Sequence, residues 1–502
     1  MSTHKVRAAL VAASCACLWP SMLAAQAAKW PSSSPPRPLA ARDVRFPPYE
    51  FRTLPNGLQV VVVVHNEQPA VSLRLLVRAG GAQDPPGRLG TASMAATLVD
   101  QGTTTRNAQQ VADAIDSVGG ELGTGAGRDL SVVHAVVMKD SLSLAMELLS
   151  DVVRNPAFAP QELERQRQQT ASALQVRYQD PEYVANAVFD RLVFGFHPYG
   201  FPGSGTPESL ARITRDDLIA FHHRYYAPNN CILAVVGDLT VDEGMAAVAK
   251  AFGDWPRADV PDILPADPPE PTRRVVVIDK PDAVQTEIRM GQIGIPRRTG
   301  DYMAVDLALK ILGGDGANRL HRVLRTERGL TYGASADAET LKRSGEFMAQ
   351  TNTRSETTGE VLRLMVDEFS TLRRERVGEQ ELADAKAYLT GAFPLTIETP
   401  DEIATHILNV LFYDLPIEEL QTYRQRVNAV SVDDIARATL KYLKPDRLSI
   451  VLVGNASVFL DQLRRVGFSK VEVVRLADLD LTTADFKKKD LAPPMTSVSR
   501  PK

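Results

Sequence analysis

Ile213-Thr214-Arg215-Asp216-Asp217-Leu218 returns 217 residues later as Val430-Ser431-Val432-Asp433-Asp434-Ile435, and this pair of segments decides the fold. Each opens with a hydroxyl residue followed three positions on by an acid, the mark of a capped helix N-terminus. Under the same shift Tyr225 falls on Tyr442, Pro228 on Pro445, Val236 on Val453 and Gly237 on Gly454. Each copy therefore reads as a capped helix, a Tyr…Pro turn, an apolar strand and a Gly. So many matches without a gap mark an internal duplication.

Between the copies, residues 256–271 hold Pro256, Pro261, Pro265, Pro268, Pro269 and Pro271. That composition makes an extended, semi-rigid linker. It divides the chain into a first half at 46–255 and a second at 272–480, with an extended arm at 28–45 and a disordered tail at 481–502. In the first half, Leu58 to Val64 is β-branched and bounded by the Asn56-Gly57 turn signal. Val71, Leu73, Leu75 and Val77 alternate with Ser72, Arg74 and Arg78, which describes a half-buried strand. Val111, Ile115 and Val118 share one helix face that ends at Gly119-Gly120; a strand over 129–138 and a helix over 141–153 follow. The expected fold class is α+β: two duplicated α/β-sandwich halves, each a sheet with helices packed on one face, joined by the Pro-rich linker.

The chain has 502 residues, 44% hydrophobic and 24% charged, enough for a sizeable core. Lys5 and Arg7, the apolar run from Ala8 to Leu18 and the small residues Ala25-Gln26-Ala27 read as a secretory signal peptide over 1–27, which implies a periplasmic location. The run is too short to span a bilayer, and no later stretch approaches about 20 apolar residues. Cys15 raises lipidation as an alternative, but Ala12-Ala13-Ser14 ahead of it is a poor lipobox. Cleavage would leave Cys231 as the sole cysteine, so an oxidising compartment brings no intramolecular disulfide. It would also remove two cations, Lys5 and Arg7, and take the net charge from -4 to -6, which argues against a nucleic-acid binder. The Lys487-Lys488-Lys489 run reads as solvated tail.

The chemistry centres on Leu324-Arg325-Thr326-Glu327-Arg328-Gly329-Leu330-Thr331-Tyr332. A helix carrying Arg325 ends near Arg328, Gly329 supplies a left-handed turn, and Tyr332 emerges at the start of a strand. Guanidinium and phenol are thereby presented on one side of a corner, both able to donate to a carbonyl oxygen. This segment resembles the Arg/Tyr segment in the second domain of the pitrilysin/insulinase-type zinc peptidases, whose zinc motif is the inverted H-x-x-E-H. His197-Pro198-Tyr199-Gly200, Tyr225-Tyr226-Ala227-Pro228-Asn229-Asn230, Ala385-Lys386-Ala387-Tyr388-Leu389 and Phe393-Pro394-Leu395 are similar to landmarks of the same family. The resemblance implies that Arg325 and Tyr332 bind the substrate peptide at its scissile bond.

In active relatives the first half carries H-x-x-E-H on a helix followed by Gly-Thr, with the Glu as general base. Anchoring on Gly102-Thr103 places Ser93 and Thr97 at the histidine positions and Ala96 at the Glu. The third ligand, a Glu on a helix ahead of Asp-Pro, falls on Ala173 ahead of Asp180-Pro181. Hydroxyls and methyls cannot form a zinc shell, so no metal or other cofactor is expected in this chain. None of its eight histidines pairs with another at i, i+3 or i, i+4. His134 reads as a satisfied sheet residue, Cys231 as a small buried hydrophobe and Gly313-Gly314-Asp315-Gly316 as a flexible loop. The implied function is a non-catalytic subunit of a heterodimeric periplasmic zinc peptidase, supplying Arg325 and Tyr332 to a peptide held at the zinc of an H-x-x-E-H partner of similar size. The alternative is a degenerate homologue that binds or scaffolds peptides without catalysis.

Overall fold

Both repeated segments fold as a capped helix leading into a strand. At the first, the Thr214 N–H donates to Asp217 Oδ2 (2.7 Å) and the Asp217 N–H to Thr214 Oγ1 (3.2 Å). At the second, Ser431 and Asp434 make the same two bonds at 2.8 and 3.1 Å. Two orphan N–H groups are thus satisfied at each start. These elements belong to a computed structural model that describes residues 45–261, 267–268, 273–314 and 318–488. The signal peptide, all but Arg45 of the arm, residues 262–266 and 269–271 of the linker, Thr272 and residues 489–502 lie outside the described residues, as do Asp315 and Gly316.

The first half runs β1 (Tyr49–Thr53), β2 (Gln59–Val64), β3 (Ala70–Val77), α1 (Thr91–Val99), α2 (Ala108–Asp116), β4 (Glu121–Ala126), β5 (Ser131–Met138), α3 (Leu142–Arg154), α4 (Pro160–Arg177), α5 (Pro181–Phe194), α6 (Pro207–Leu210), α7 (Arg215–Tyr225), β6 (Cys231–Gly237) and α8 (Val241–Phe252). The second runs β7 (Arg274–Asp279), β8 (Gln285–Ile293), α9 (Tyr302–Gly313), β9 (Ala334–Thr340), β10 (Gly345–Arg354), α10 (Thr358–Arg374), α11 (Glu379–Ala392), α12 (Pro400–Phe412), α13 (Glu419–Ala429), α14 (Val432–Tyr442), β11 (Ser449–Gly454), α15 (Ala456–Arg465) and β12 (Glu472–Arg475). The strand orders are β1-β2-β6-β3-β5-β4 and β12-β7-β11-β8-β10-β9. The last five strands of each order correspond, with β2 parallel to β6 and β7 parallel to β11. The α+β class and the two halves are as the sequence implies.

Each sheet carries its own half's helices on one face. The opposite face is covered by a helix from the other half, and this exchange is not visible in the sequence. Val184, Val188, Phe189, Leu192 and Val193 of α5 pack on Val276, Ile278, Val451 and Val453 of the second sheet. Reciprocally, α12 lies across β3 and β6, burying Ile403, Ala404 and Ile407. With both faces covered, the inner strands are near-continuous apolar runs such as Val60 to Val64. The half-buried strand expected at 71–77 is therefore buried on both sides. Ser72 and Arg74 are polar because they meet Asp401 of α12, Ser72 at 3.1 Å and Arg74 through two bonds at 2.7 and 2.8 Å. The second half shows the matching arrangement, with Arg289 of β8 facing Glu182 of α5 (3.8 Å) and donating to Asn186 Oδ1 (2.6 Å).

The tail expected from 481 does not begin there. Leu481 and Phe486 are buried in the apolar layer beneath α5, and Arg191 of that helix donates from Nε to the Leu481 carbonyl (2.8 Å). The last described residue is Lys488.

One buried group sets a pH dependence. His222 of α7 bonds through Nε2 to the Val153 carbonyl (2.8 Å), so that nitrogen carries the proton of a neutral ring. Burial pushes its pKa down to about 4 from an ordinary 6.5, against the bond to Val153 and with a smaller push from His223. Between those values the unfolded chain binds a proton that the folded chain refuses. Stability is full above pH 6.5 and is lost as the pH falls toward 4, by roughly 3 kcal/mol in all. Urea midpoints measured at pH 7, 6 and 5 should fall more steeply for the wild type than for His222→Gln.

Candidate functional site

The Arg/Tyr corner is built as a π-turn with a locked exit. Residues His321–Thr326 form a π-helix, with the Glu327 N–H donating to the Arg322 carbonyl at 2.9 Å. Asn318 Oδ1 accepts the His321 N–H (2.7 Å) at its start. At its end Gly329 takes φ 61°, its N–H reaching the Arg325 carbonyl (2.9 Å) while the Leu330 N–H reaches back to the Leu324 carbonyl (2.8 Å). The first of these is the 5→1 bond of an αL cap, which needs a left-handed residue and so favours Gly. Leu324 and Leu330 enter the same apolar core and fix the exit direction.

The segment that follows hangs from β10. Thr353 Oγ1 donates to the Leu330 carbonyl (2.7 Å), and Thr351 Oγ1 to the Gly333 carbonyl (2.8 Å). Tyr332 thus stands on tethered backbone with its side chain 83% exposed, two residues ahead of β9. Arg325 and Tyr332 line one cavity of about 810 Å³. Its floor is the polar inner face of the second sheet, with Arg289, Gln350 and Asn352, and the first turn of α5 brings Glu182 from the other half. Sequence reasoning missed Glu182 and Arg289. The alternation of Glu287 and Arg289 with Ile288 and Met290 was a signal that this strand carries charge on one face.

The charges around Arg325 are unevenly paired. Arg322 meets Glu327 at 3.2 Å and Arg328 meets Glu360 at 3.3 Å. Among the described residues Arg325 has no acidic partner; its Nη1 lies 3.4 Å from His321 Nε2. A guanidinium without a carboxylate partner among the described residues and a phenol lining the same cavity offer donors suited to holding a carbonyl oxygen as charge develops on it.

The other expected positions lie on α1 and on α4, which packs against it. Ala96 is fully buried, Ser93 and Thr97 are half-buried, and Thr97 Oγ1 donates to the Ser93 carbonyl of its own helix (2.8 Å). Ala173 is an exposed methyl on α4. Asp84 caps α1, accepting from the N–H groups of Gly90 (2.6 Å) and Ala92 (2.7 Å); burial pushes its carboxyl up to about 7 against those bonds. No cluster of three His, Cys, Asp or Glu able to hold a metal occurs among the described residues. A zinc shell does not fit the side chains at Ser93, Ala96, Thr97 and Ala173. His134 lies on β5 with Nε2 3.7 Å from Glu121, and Cys231 is buried in β6 where burial raises its thiol pKa. No described helix is long and apolar enough to cross a membrane.

Comparison with known proteins gives two adjoining family matches. Residues 60–196 match the model described as insulinase (peptidase family M16), and residues 212–389 match that described as peptidase M16 inactive domain. An uncharacterized zinc protease of Mycobacterium leprae is 30% identical over 69% of this chain and 78% of its own length. One from Mycobacterium tuberculosis is 29% identical over 84% of this chain and 96% of its own. Among solved structures, a peptidase M16 inactive domain from Pseudomonas fluorescens aligns with a TM-score of 0.77 at 29% identity, covering 81% of this chain and 98% of that one. A protease from Helicobacter pylori shares the fold, with a TM-score of 0.75 at 22% identity over 81% of this chain and 99% of its own.

Proposed function

The chain belongs to peptidase family M16, the insulinase family, and from that premise we propose that it is the non-catalytic subunit of a two-chain zinc peptidase. One observation carries the reading. Arg325 and Tyr332, the pair that the family resemblance assigns to the substrate, line one cavity, while the positions it assigns to the zinc ligands and base hold Ser93, Ala96, Thr97 and Ala173. The partner is an H-x-x-E-H chain of similar size, and the export expected from residues 1–27 puts the pair in the periplasm.

In this arrangement the peptide lies extended against a sheet edge of the partner. Tyr332 Oη and the Arg325 guanidinium donate hydrogen bonds to the carbonyl of the scissile bond, and these bonds strengthen as the oxygen becomes negative. Zinc and the water it activates belong to the partner. Co-expression with an H-x-x-E-H chain encoded nearby, followed by sizing and a quenched-peptide assay, tests the proposal. A one-to-one complex that cleaves peptide, from chains that are each inactive alone, is the expected result. Peptide binding by this chain with no such complex would support the scaffolding alternative. Stoichiometric zinc and proteolysis in this chain alone would refute both.

Restoring the motif should expose the missing third ligand. Ser93→His, Ala96→Glu and Thr97→His together are expected to give weak zinc uptake and no cleavage. Adding Ala173→Glu should tighten zinc at least about tenfold, which is 1.4 kcal/mol. Competition with a chromogenic chelator measures both constants, and equal affinities would show that Ala173 is not the ligand position.

A further inference from the structure

Taking the proposed role of Arg325 as given, we infer that His321 is the positioning residue that aims the Arg325 guanidinium into the substrate cavity. The two residues sit four apart on the π-turn, both line the cavity, and Arg325 Nη1 lies 3.4 Å from His321 Nε2. A guanidinium can only donate, so Nε2 must accept, and the imidazole proton is placed on Nδ1. His321 is itself seated through its backbone, whose N–H is taken by the buried Asn318 side chain at 2.7 Å.

The neighbouring charges show what the imidazole does. Arg322 and Arg328 are each held by a carboxylate, and Glu287 on the cavity floor is engaged by Arg289 at 3.0 Å. Among the described residues nothing but His321 orients Arg325, whose side chain is exposed and has many rotamers to choose from. A carboxylate at this place would orient the guanidinium but also neutralise it, weakening what it offers to a developing oxyanion. A neutral imidazole orients it and leaves its full charge and remaining N–H donors for the substrate. The π-register places His321 on the cavity side of the turn without interrupting the chain's path to Gly329, and such turns are frequent where function needs an unusual side-chain direction.

The first test needs neither partner nor substrate. In the isolated chain labelled with ¹⁵N-histidine, long-range ¹H–¹⁵N spectra assigned with His321→Gln should show the His321 ring as the Nδ1–H tautomer. Arg325→Ala should then move the Nε2 signal. An unmoved signal would overturn the contact, whatever the function of the protein. The second test uses the co-expressed pair and a quenched fluorescent peptide. His321→Ala should lower kcat and kcat/KM together by about tenfold, and His321→Gln, which keeps an acceptor, should recover most of that loss. If Arg325→Ala is damaging and His321→Ala is harmless, the positioning role is wrong. If Arg325→Ala is itself harmless, the reading of the site fails instead, while the spectra still decide the contact.

Discussion

Tyr332→Phe is expected to cut the peptide-cleavage rate of the reconstituted pair by about 10²–10³, the usual cost of removing one oxyanion donor. The melting temperature of this chain should not move. The reason is structural: the ring is 83% exposed, and its hydroxyl meets no partner among the described residues. The backbone beneath it is held by Thr351 and Thr353, whose bonds the substitution leaves untouched. Tyr199→Phe makes the contrasting control, because the Tyr199 hydroxyl donates to the buried Asp129 carboxylate, which leaves that group short of a partner when it is removed. That variant should lose stability rather than turnover. Steady-state kinetics with a quenched peptide and a thermal melt separate the two. Cleavage at the wild-type rate by a pair carrying Tyr332→Phe would show that the phenol is not a donor to the scissile carbonyl.

Cutting the chain within residues 262–266 and expressing the pieces separately is expected to leave each piece unfolded. Expressed together, they should assemble into a one-to-one complex. The exchanged helices are the cause. In an isolated first half, α5 would present Val188, Phe189, Leu192 and Val193 to water, and exposing those four alone costs roughly 8 kcal/mol at about 2 kcal/mol per side chain. A typical domain has about 5–15 kcal/mol of stability in total. The first sheet would at the same time lose α12, leaving Asp401's partners Ser72 and Arg74 without their acceptor. Circular dichroism of each piece, and size-exclusion chromatography of the mixture, decide the matter. A cooperative melt from either piece alone near that of the whole chain would mean the exchange contributes little.

The duplication and the α+β class were legible because they rest on local signals. Thr214 and Ser431 cap their helices as the spacing of Asp217 and Asp434 requires, and Gly237 and Gly454 end the paired strands. The corner at Gly329 was legible for the same reason, since a left-handed exit leaves a Gly in the sequence. Strand β4 was missed: Glu-Leu-Gly-Thr-Gly-Ala has two glycines and little β-branching, and its pairing with β5 supplies what its composition does not. The helix exchange was missed because α5 and α12 look like ordinary apolar helices. Only three-dimensional contact says which sheet receives them. Arg74 and Arg289, charged residues inside strands, were its trace, and their partners Asp401 and Asn186 lie 327 and 103 residues away in the chain. The same long-range origin hid Glu182 from any account of the cavity.

A half whose side chains at Ser93, Ala96, Thr97 and Ala173 cannot form a zinc shell would ordinarily be free to shrink, diverge or disappear. Here it is not, because α5 covers its neighbour's sheet and brings Glu182 to its neighbour's cavity. Drift at Ser93, Thr97 and Ala173 meets little structural resistance, whereas drift along the inner face of α5 would strip the apolar cover from the sheet that floors the cavity. Absence of a zinc shell and retention of bulk are therefore compatible in this half, set by which of its helices the other half has borrowed.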